Sequence, residues 1–464
     1  MRHVNRPSIL ANPILRRWDA VCATHQNDPA ILSSQGEVLR TFSEVEEGSL
    51  RWTNQLAGQA PTGVMALQAG NDAEWPSILL AAWRLGFAVA LLDPEVTGER
   101  RARIETLCGV SLRVEKFADE WKLLRMENPG PAWGECFPDL LKLTSGTTAD
   151  ARVVRFTADQ LLADCETVCD TMGIGPGDIN YGAIAFAHSY GFSNLITPLI
   201  CRGVALVATG DLMPRALLEG LAKSRATVFP AVPALFRALA GFRPGKMELR
   251  LCISAGARLD TEVSREFYVS YGRKVHSFYG ASECGGICYD GGDDPVPPPG
   301  YVGPPMQNVQ IQPTAESGSS LVTVSSAAVG LGYHPTGERD SLLGGAFQPA
   351  DLLEWTGSGY VIRGRISDTI NVAGRKVNPC EVERVVMLCQ GVREVVVLGL
   401  HSEARGEEVA ACVVGDISEE KLKVHCANTL PAWQLPRRWM ILDTLPVNAR
   451  GKTSREILRE LFQS

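Results

Sequence analysis

No run of this chain stays apolar for the ~20 residues that a membrane-spanning helix needs. The most apolar stretch, Ser77 to Leu92, is interrupted by Arg84 and Gly86 and reads as a buried helix followed by a strand. Met1 to Arg17 carries scattered arginines and prolines but no compact apolar segment before a small-residue cleavage site, so no secretory signal is expected. Paired CxxC motifs are also missing. The 13 cysteines are dispersed, an odd number that fits reduced, mostly buried thiols in a cytoplasmic protein. Cys284 and Cys288 have no second ligand pair beside them and are not read as a metal site. Positive charge is not in surplus either: a net charge of −7 gives no basic face with which to neutralise a nucleic-acid backbone. Internal repeats and low-complexity tracts are absent.

What is present is an ordinary globular composition, 45% hydrophobic and 21% charged over 464 residues. Single cores stop growing near ~250–300 residues, so at least two domains are expected. Apolar β-rich runs alternate with helical spacing through most of the chain. Val204–Ala208 precedes a helix over Pro214–Lys223, Thr227–Phe229 leads to a helix from Pro233, and Leu251–Ser254 to one from Asp260. Strands separated by helices of this length predict parallel α/β layers. The segment Gly291 to Pro305 is dense in Pro and Gly and reads as a loop. Strand-rich sequence follows, at Val309–Gln312, Leu321–Val324, Leu352–Trp355 and Tyr360–Ile362. Past Gly364-Arg365 the pattern changes to a compact α+β module, with helices over Asn378–Cys389 and Ser418–Leu430 and strands at Val395–Leu398 and Val409–Val414. The boundary is therefore placed near Gly364–Asp368, giving domains 1–364 and 365–464.

The most informative segment is Leu140 to Thr148. A short apolar strand, LLKL, runs into Thr144-Ser145-Gly146-Thr147-Thr148, and a second strand follows at Arg152–Phe156. Hydroxyls and backbone N–H groups turned inward by such a loop make an anion cradle suited to ATP phosphates. The local sequence fits equally well a Ser/Thr-rich hairpin that binds nothing. It is not a Walker loop, because the GxxxxGK[ST] spacing is missing and no helix starts after the glycine. A helix starts only after the second strand, where Thr157 and Gln160 have capping-box spacing.

This segment resembles the TSGTTGxPKG phosphate loop of the adenylate-forming superfamily, which comprises acyl-CoA synthetases, aryl-CoA ligases and peptide-synthetase adenylation domains. The first five positions match. Ala149, Ala151, Arg152 and Val153 stand where the family has Gly, Pro, Lys and Gly. Fewer glycines stiffen the loop, and Arg152 keeps a cation without lysine's point-charge geometry. Further signatures follow in family order. AAWRLGFAVALLDP (Ala81–Pro94) is similar to an early helix–strand unit, FAHSYG (Phe186–Gly191) to the His or aromatic segment facing the acyl site, and YGASE (Tyr279–Glu283) to YGxTE. PGYVGPP (Pro299–Pro305) is similar to PGxVGxP, Asp351 to the aspartate of TGD, GRISD (Gly364–Asp368) to the hinge, and LPVNARGK (Leu445–Lys452) to LPxxxxGK.

The resemblance implies an α/β fold with a large N-terminal domain of several subdomains, one of them small and β-rich, and a small α+β C-terminal domain joined by a hinge. It implies an AMP-forming acid–thiol ligase using ATP, Mg²⁺ and coenzyme A, with a carrier-protein phosphopantetheine as the alternative acceptor. Lys452 is implied as a catalytic cation near the carboxylate and α-phosphate, and Glu283 as a Mg²⁺ ligand alongside Thr148. The implied nucleotide site is Thr144, Ser145, Gly146, Thr147, Thr148, Ala257, Tyr279 on adenine, Gly280, Ser282 on the α-phosphate, Asp351 on the ribose, Ile362, Arg365 and Lys452. Lys376 is implied on the cofactor side. His188, Gly191, Phe192, Ser254, Gly256, Ala281 and Gly285 are implied to line the acyl site, and His188 is given no proton transfer. Ser367 stands where the family hinge carries Asp or Lys.

No Asp stands near Phe186–Gly191 to hold an amino group, so a fatty or aromatic acid is expected over an amino acid. No basic cluster marks a site for the 3′-phosphate of CoA, which leaves free CoA and an acyl carrier protein both open. Transfer of the adenylate to an amine or hydroxyl stays open too. So does a degenerate member that binds nucleotide or acyl ligand without turnover, although retention of Glu283, Asp351, Arg365 and Lys452 together argues against it. The expected partners are a small carboxylic acid and no nucleic acid, and the expected state is a monomer or homodimer.

Overall fold

The structure is a computed structural model in which residues 12–59, 63–127, 130–131, 133, 136–144, 152–314, 321–337, 341–402, 405–446 and 453–463 are described. The chain divides into two compact units, residues 1–312 with 323–348, and residues 313–322 with 349–464.

The larger unit is built on two sheets. In the first, six neighbouring strands run parallel in the order Val275–Ala281, Leu251–Ser254, Val228–Ala231, Ile179–Tyr181, Ala205–Ala208 and Pro29–Ser33. Antiparallel strands, Gly285–Tyr289 and Val38–Thr41, close its two edges. Helices Pro214–Lys223, Pro233–Ala240 and Thr261–Tyr271 connect the parallel strands, as the alternating pattern predicts. Asp260 caps the last of them by accepting from the Glu262 N–H. The inner face is close-packed, with Phe229, Phe236 and Phe267 fully buried and their rings in edge contact at 5.3 and 5.2 Å. Burial of each such side chain stabilises by ~1.5–3 kcal/mol.

The second sheet orders Gly332–His334, Val153–Phe156, Leu140–Leu143, Ala88–Leu92, Val64–Gln68, Val110–Phe117 and Glu120–Arg125. Ser77–Leu92 resolves into helix Trp75–Arg84 and strand Ala88–Leu92, both buried throughout apart from Arg84. Strand Val153–Phe156 turns back against Leu140–Leu143, and helix Ala158–Met172 follows with Thr157 N–H on Gln160 Oε1 at 2.9 Å, the predicted cap. The Pro/Gly-rich stretch contains one short strand, Tyr301–Gly303, which the loop reading did not anticipate. Prolines lack a donor but keep an acceptor, and Pro304 C=O accepts from the Tyr289 N–H while Met306 N–H donates to Ile287 C=O. That lays the segment along the edge of the first sheet.

In the smaller unit a hairpin pairs Asp351–Trp355 with Tyr360–Arg365. Helix Pro379–Met387 follows, with Asn378 as its N-cap. Strands Val392–Ser402 and Gly406–Gly415 then form a long antiparallel pair, flanked by Ile370–Val372, Arg375–Val377 and the parallel strand Arg438–Leu442. The two long strands are buried on both faces, so their period-two alternation feeds two cores. Val397, Val409, Ala411 and Val413 pack with Val382, Val386 and Leu422, while Val396, Leu398, Ala410 and Cys412 pack with Leu458 and Phe462 of the last helix.

All 13 cysteines are free and nine are buried. Burial pushes the Cys284 and Cys288 thiols up, away from the thiolate that a metal takes. No helix among the described residues is long and apolar enough to cross a membrane.

Candidate active site

The tightest chemistry in the larger unit sits on a three-residue turn. Strand Val275–Ala281 ends with Ala281 paired to Gly285, leaving Ser282, Glu283 and Cys284 as the turn. Tyr279 is buried three residues before it, Gly280 is exposed and Ala281 is half-buried. Ser189 donates to Ser282 Oγ at 3.0 Å. Glu283 is held at both ends: its carbonyl accepts from Gly330 N–H at 2.9 Å, and its Oε1 accepts from the Tyr333 phenol at 3.0 Å. The phenol also bonds Ser341 Oγ at 2.9 Å. Burial first, then the charge of Glu283, pushes the Tyr333 hydroxyl up, so it stays a donor to the carboxylate.

The candidate phosphate loop is closed at its base. Thr144 N–H and Oγ1 both donate to the Arg152 carbonyl, at 3.1 and 3.2 Å. Ser145, Gly146, Thr147 and Thr148 lie outside the described residues. Arg152, at the family's lysine position, lays its guanidinium over the Tyr333 ring at 4.1 Å from the centroid. It also donates from Nε and Nη2 to Pro335 C=O at 3.3 and 3.2 Å. Tyr333 thus joins the loop's far end to Glu283, with its ring under the cation and its hydroxyl on the carboxylate.

The acyl-side residues divide. His188 is half-buried with Nε2 2.9 Å from Asp93 Oδ2, so a carboxylate is present here after all, from a strand end far back in the sequence. Asn71 holds the preceding segment in place, donating to Gly182 C=O and Ile184 C=O and accepting from Phe186 N–H. Gly191 is buried with the Ala185 carbonyl 2.1 Å from where a Cβ would stand, and Phe192 is fully buried against Trp75 and Trp83. Tyr190 donates to Ile253 C=O at 3.0 Å, and its ring lies 5.8 Å from Phe278. Ser254 is buried at the carboxyl end of its strand, and its Oγ has no partner among the described residues. Gly256, Ala257 and Arg258 follow on an exposed loop. Carboxyl ends of parallel strands are where open α/β sheets take their ligands.

In the smaller unit Asp351 and Arg365 face each other across the hairpin, with Arg365 Nε donating to Asp351 Oδ1 at 2.6 Å. Asp351 is buried, Ile362 half-buried, and Arg365 and Lys376 exposed. Lys452 lies outside the described residues. The chain on either side of 447–452 is tied: Ser454 N–H donates to Pro446 C=O at 3.0 Å, and Arg455 donates to Asp368 Oδ2 at 2.7 Å and Glu383 Oε1 at 3.2 Å. Arg455, Tyr333 and Asp93 were not singled out by the sequence. Each acts on a candidate site residue, or on the chain beside one, from 50 or more residues away, so no local spacing marks it.

Oxygen donors dominate the Glu283 turn, and among the described residues no three His, Cys, Asp or Glu gather as a ready-made metal cage. A single fixed carboxylate is the donor set that suits Mg²⁺, which takes its remaining ligands from phosphates and water.

Comparison with known proteins bears on both units. The AMP-binding enzyme family model matches residues 140–323, and the AMP-binding enzyme C-terminal domain model matches residues 381–452. A benzoate–CoA ligase of Thauera aromatica is 27% identical over 319 residues, covering 62% of this chain and 59% of that protein. A long-chain-fatty-acid–CoA ligase of Mycobacterium tuberculosis is 26% identical over 351 residues, covering 71% of this chain and 69% of that one. Among solved structures, ATP-bound MatB from Rhodopseudomonas palustris superposes with a TM-score of 0.81 at 23% identity, over 98% of this chain and 99% of that one. The match thus spans about three-fifths to two-thirds of the length of the curated relatives.

Proposed function

The chain belongs to the AMP-binding enzymes of the adenylate-forming superfamily, and from that premise we propose that it activates a carboxylic acid with ATP and passes the acyl group to the thiol of coenzyme A. The observation that carries this reading is the Arg152–Tyr333–Glu283 chain of contacts. It sets a phosphate-side cation and a metal-type carboxylate on one shared side chain.

In the first half-reaction a carboxylate oxygen attacks the α-phosphorus of ATP and pyrophosphate leaves, giving an acyl-adenylate. Negative charge gathers on the α-phosphate, so fixed donors and cations are what the reaction needs. Ser282 offers a hydroxyl to the α-phosphate, steadied by Ser189. Lys452 supplies the cation, Tyr279 an aromatic face for adenine, and Asp351 acceptor oxygens for the ribose hydroxyls. Glu283 would hold Mg²⁺, which when bound neutralises the phosphates. In the second half-reaction the thiol sulfur attacks the acyl carbonyl carbon and AMP leaves through its phosphate oxygen. The hinge at Gly364–Asp368 carries the domain change between the two.

A fatty or aromatic acid is the substrate class we infer. Trp75 packs edge-on against Phe186 and Phe192, which flank His188 in sequence, and Asp93, the carboxylate at His188, is already answered by the imidazole. Two matched relatives are a benzoate and a long-chain-fatty-acid CoA ligase. Carboxylate-dependent exchange of labelled pyrophosphate into ATP, across fatty, aromatic and amino acids, tests the reading. Exchange with one class establishes adenylation and names the acid. Its absence with every acid, in protein that binds ATP, favours a non-catalytic nucleotide binder. Saturation by free CoA, against a phosphopantetheine-bearing carrier protein, then decides the acceptor.

A further inference from the structure

Lys142 is two residues before Thr144 on the strand that enters the phosphate loop, yet its side chain is only 2% exposed. Its ammonium lies 4.8 Å from the Phe156 ring centroid, 5.5 Å from that of Phe192, and 3.5 Å from Ser193 Oγ. Ser193, itself buried, donates to Asp164 Oδ2. The other oxygen of Asp164 accepts from Gly286 N–H at 3.0 Å, across 122 residues of sequence. Gly285, beside it, has φ +70°, and a Cβ there would lie 1.9 Å from Asp164 Oδ1. Only glycine lets the turn close down on the carboxylate in this way. Desolvation pushes the Lys142 ammonium down while the charge of Asp164 opposes it.

A buried lysine and a buried aspartate, bridged by a hydroxyl, are seldom kept without a role, since an apolar pair of similar volume is often at least as stable. Here one end of the bridge is the root of the phosphate loop, and the other is the backbone just past Ser282 and Glu283. We propose that Lys142, Ser193 and Asp164 are positioning residues that fix the Ser282–Glu283 turn relative to the strand entering the phosphate loop, and so set the rate of adenylation. The inference rests on the proposed function for its kinetic consequence, though the anchoring can be measured without any substrate.

The test combines hydrogen–deuterium exchange of ligand-free protein over residues 282–286 with pyrophosphate–ATP exchange. Asp164→Ala removes the acceptor for Gly286 N–H. The turn should lose protection and kcat should fall ~10–100-fold, the scale of a misplacement of about 1 Å, with KM for the acid unchanged. Asp164→Asn keeps an acceptor and should retain most of both. Lys142→Met with Asp164→Ala removes both charges, so thermal stability should recover relative to Asp164→Ala while turn protection and kcat stay low. A charge pair that served stability alone would let kcat return with stability. That return, or parental protection and rate in Asp164→Ala, overturns the proposal. Should Asp164→Ala fail to fold, Ser193→Ala breaks the bridge with both charges kept. It must still lower protection over 282–286, by less than Asp164→Ala because Asp164 Oδ1 keeps the Gly286 N–H. Parental protection in Ser193→Ala overturns the proposal. A parent enzyme with no exchange for any acid strikes the proposed function, and the deuterium readout still decides the anchor.

Discussion

The turn at Ser282–Glu283 and the hairpin at Asp351–Arg365 carry comparable candidate chemistry but are held very differently. The turn is fixed from several directions, by Ser189, Tyr333, Gly330 and Asp164, and every one of those partners is distant in sequence. In the hairpin Arg365 pairs with Asp351, its partner across two adjacent strands, and 57% of the Arg365 side chain is exposed. The first region suits a preorganised electrostatic site, whose donors must not shift as charge develops. The second leads straight into a short 3₁₀ turn, Ile366–Asp368, the segment proposed as the hinge. Under the proposed function, the contrast separates residues that would do chemistry by staying still from residues that would do it by moving.

The largest effects are expected at two charged groups, the C-terminal Lys452 and Glu283 of the turn. Lys452→Ala should lower pyrophosphate exchange ~10²–10³-fold, the scale of losing one fixed transition-state donor, with the melting temperature unchanged. An unaltered exchange rate in that variant removes Lys452 from the chemistry. Glu283→Gln should reduce exchange ~10–100-fold and move the Mg²⁺ titration to higher concentration, because a neutral amide is a poorer ligand for a hard cation. Superimposable Mg²⁺ curves for variant and parent would show that Glu283 does not hold the metal.

How much of this was readable beforehand follows the same division. Helix and strand positions were legible because period and caps are local: Pro214–Lys223 and Leu251–Ser254 lie where the pattern predicts, and Thr157 and Gln160 form their cap. The motif segments pointed to the Ser282–Glu283 turn, and their further expectations of a hinge at Gly364–Asp368 and a catalytic Lys452 are carried forward as proposals. What no local pattern carries is the second set of side chains, Tyr333, Asp164, Asp93 and Arg455. These are ordinary residues until the fold brings them within hydrogen-bond reach of their partners. Phe192 shows the same limit: its motif neighbours place it among the implied acyl-site residues, and only the fold reveals its full burial among Trp75, Trp83 and Lys142.

A smaller effect distinguishes moving from still residues directly. Gly364 has φ +154°, and a Cβ there would lie 2.5 Å from Asn378 Oδ1, the side chain that also caps helix Pro379–Met387 and donates to Arg363 C=O. Gly364→Ala should therefore strain the hinge entry, at a cost of about 1 kcal/mol or more. If the hinge serves the second half-reaction, thioester formation should slow ~10-fold while pyrophosphate exchange changes little. Equal loss in both assays would mean that Gly364 supports the fold and not the domain change.

The mildest substitution probes the still region. Tyr333→Phe keeps the ring beneath Arg152 and removes only the hydroxyl that donates to Glu283. One hydrogen bond to a charged acceptor contributes ~1.5–3 kcal/mol, but the Glu283 backbone carbonyl still accepts from Gly330 N–H, so much of the geometry should survive. A three- to ten-fold loss of exchange is expected, about 1 kcal/mol, with a modest rise in the Mg²⁺ requirement. The direction of that second change carries the argument. A phenol that merely fills space would leave the Mg²⁺ titration where it was. A phenol that aims one carboxylate oxygen, leaving the metal to meet a fixed group, would shift it in the same sense as Glu283→Gln but less far. The paired titrations thus rank how much of the turn's function lies in having a carboxylate and how much in keeping it still.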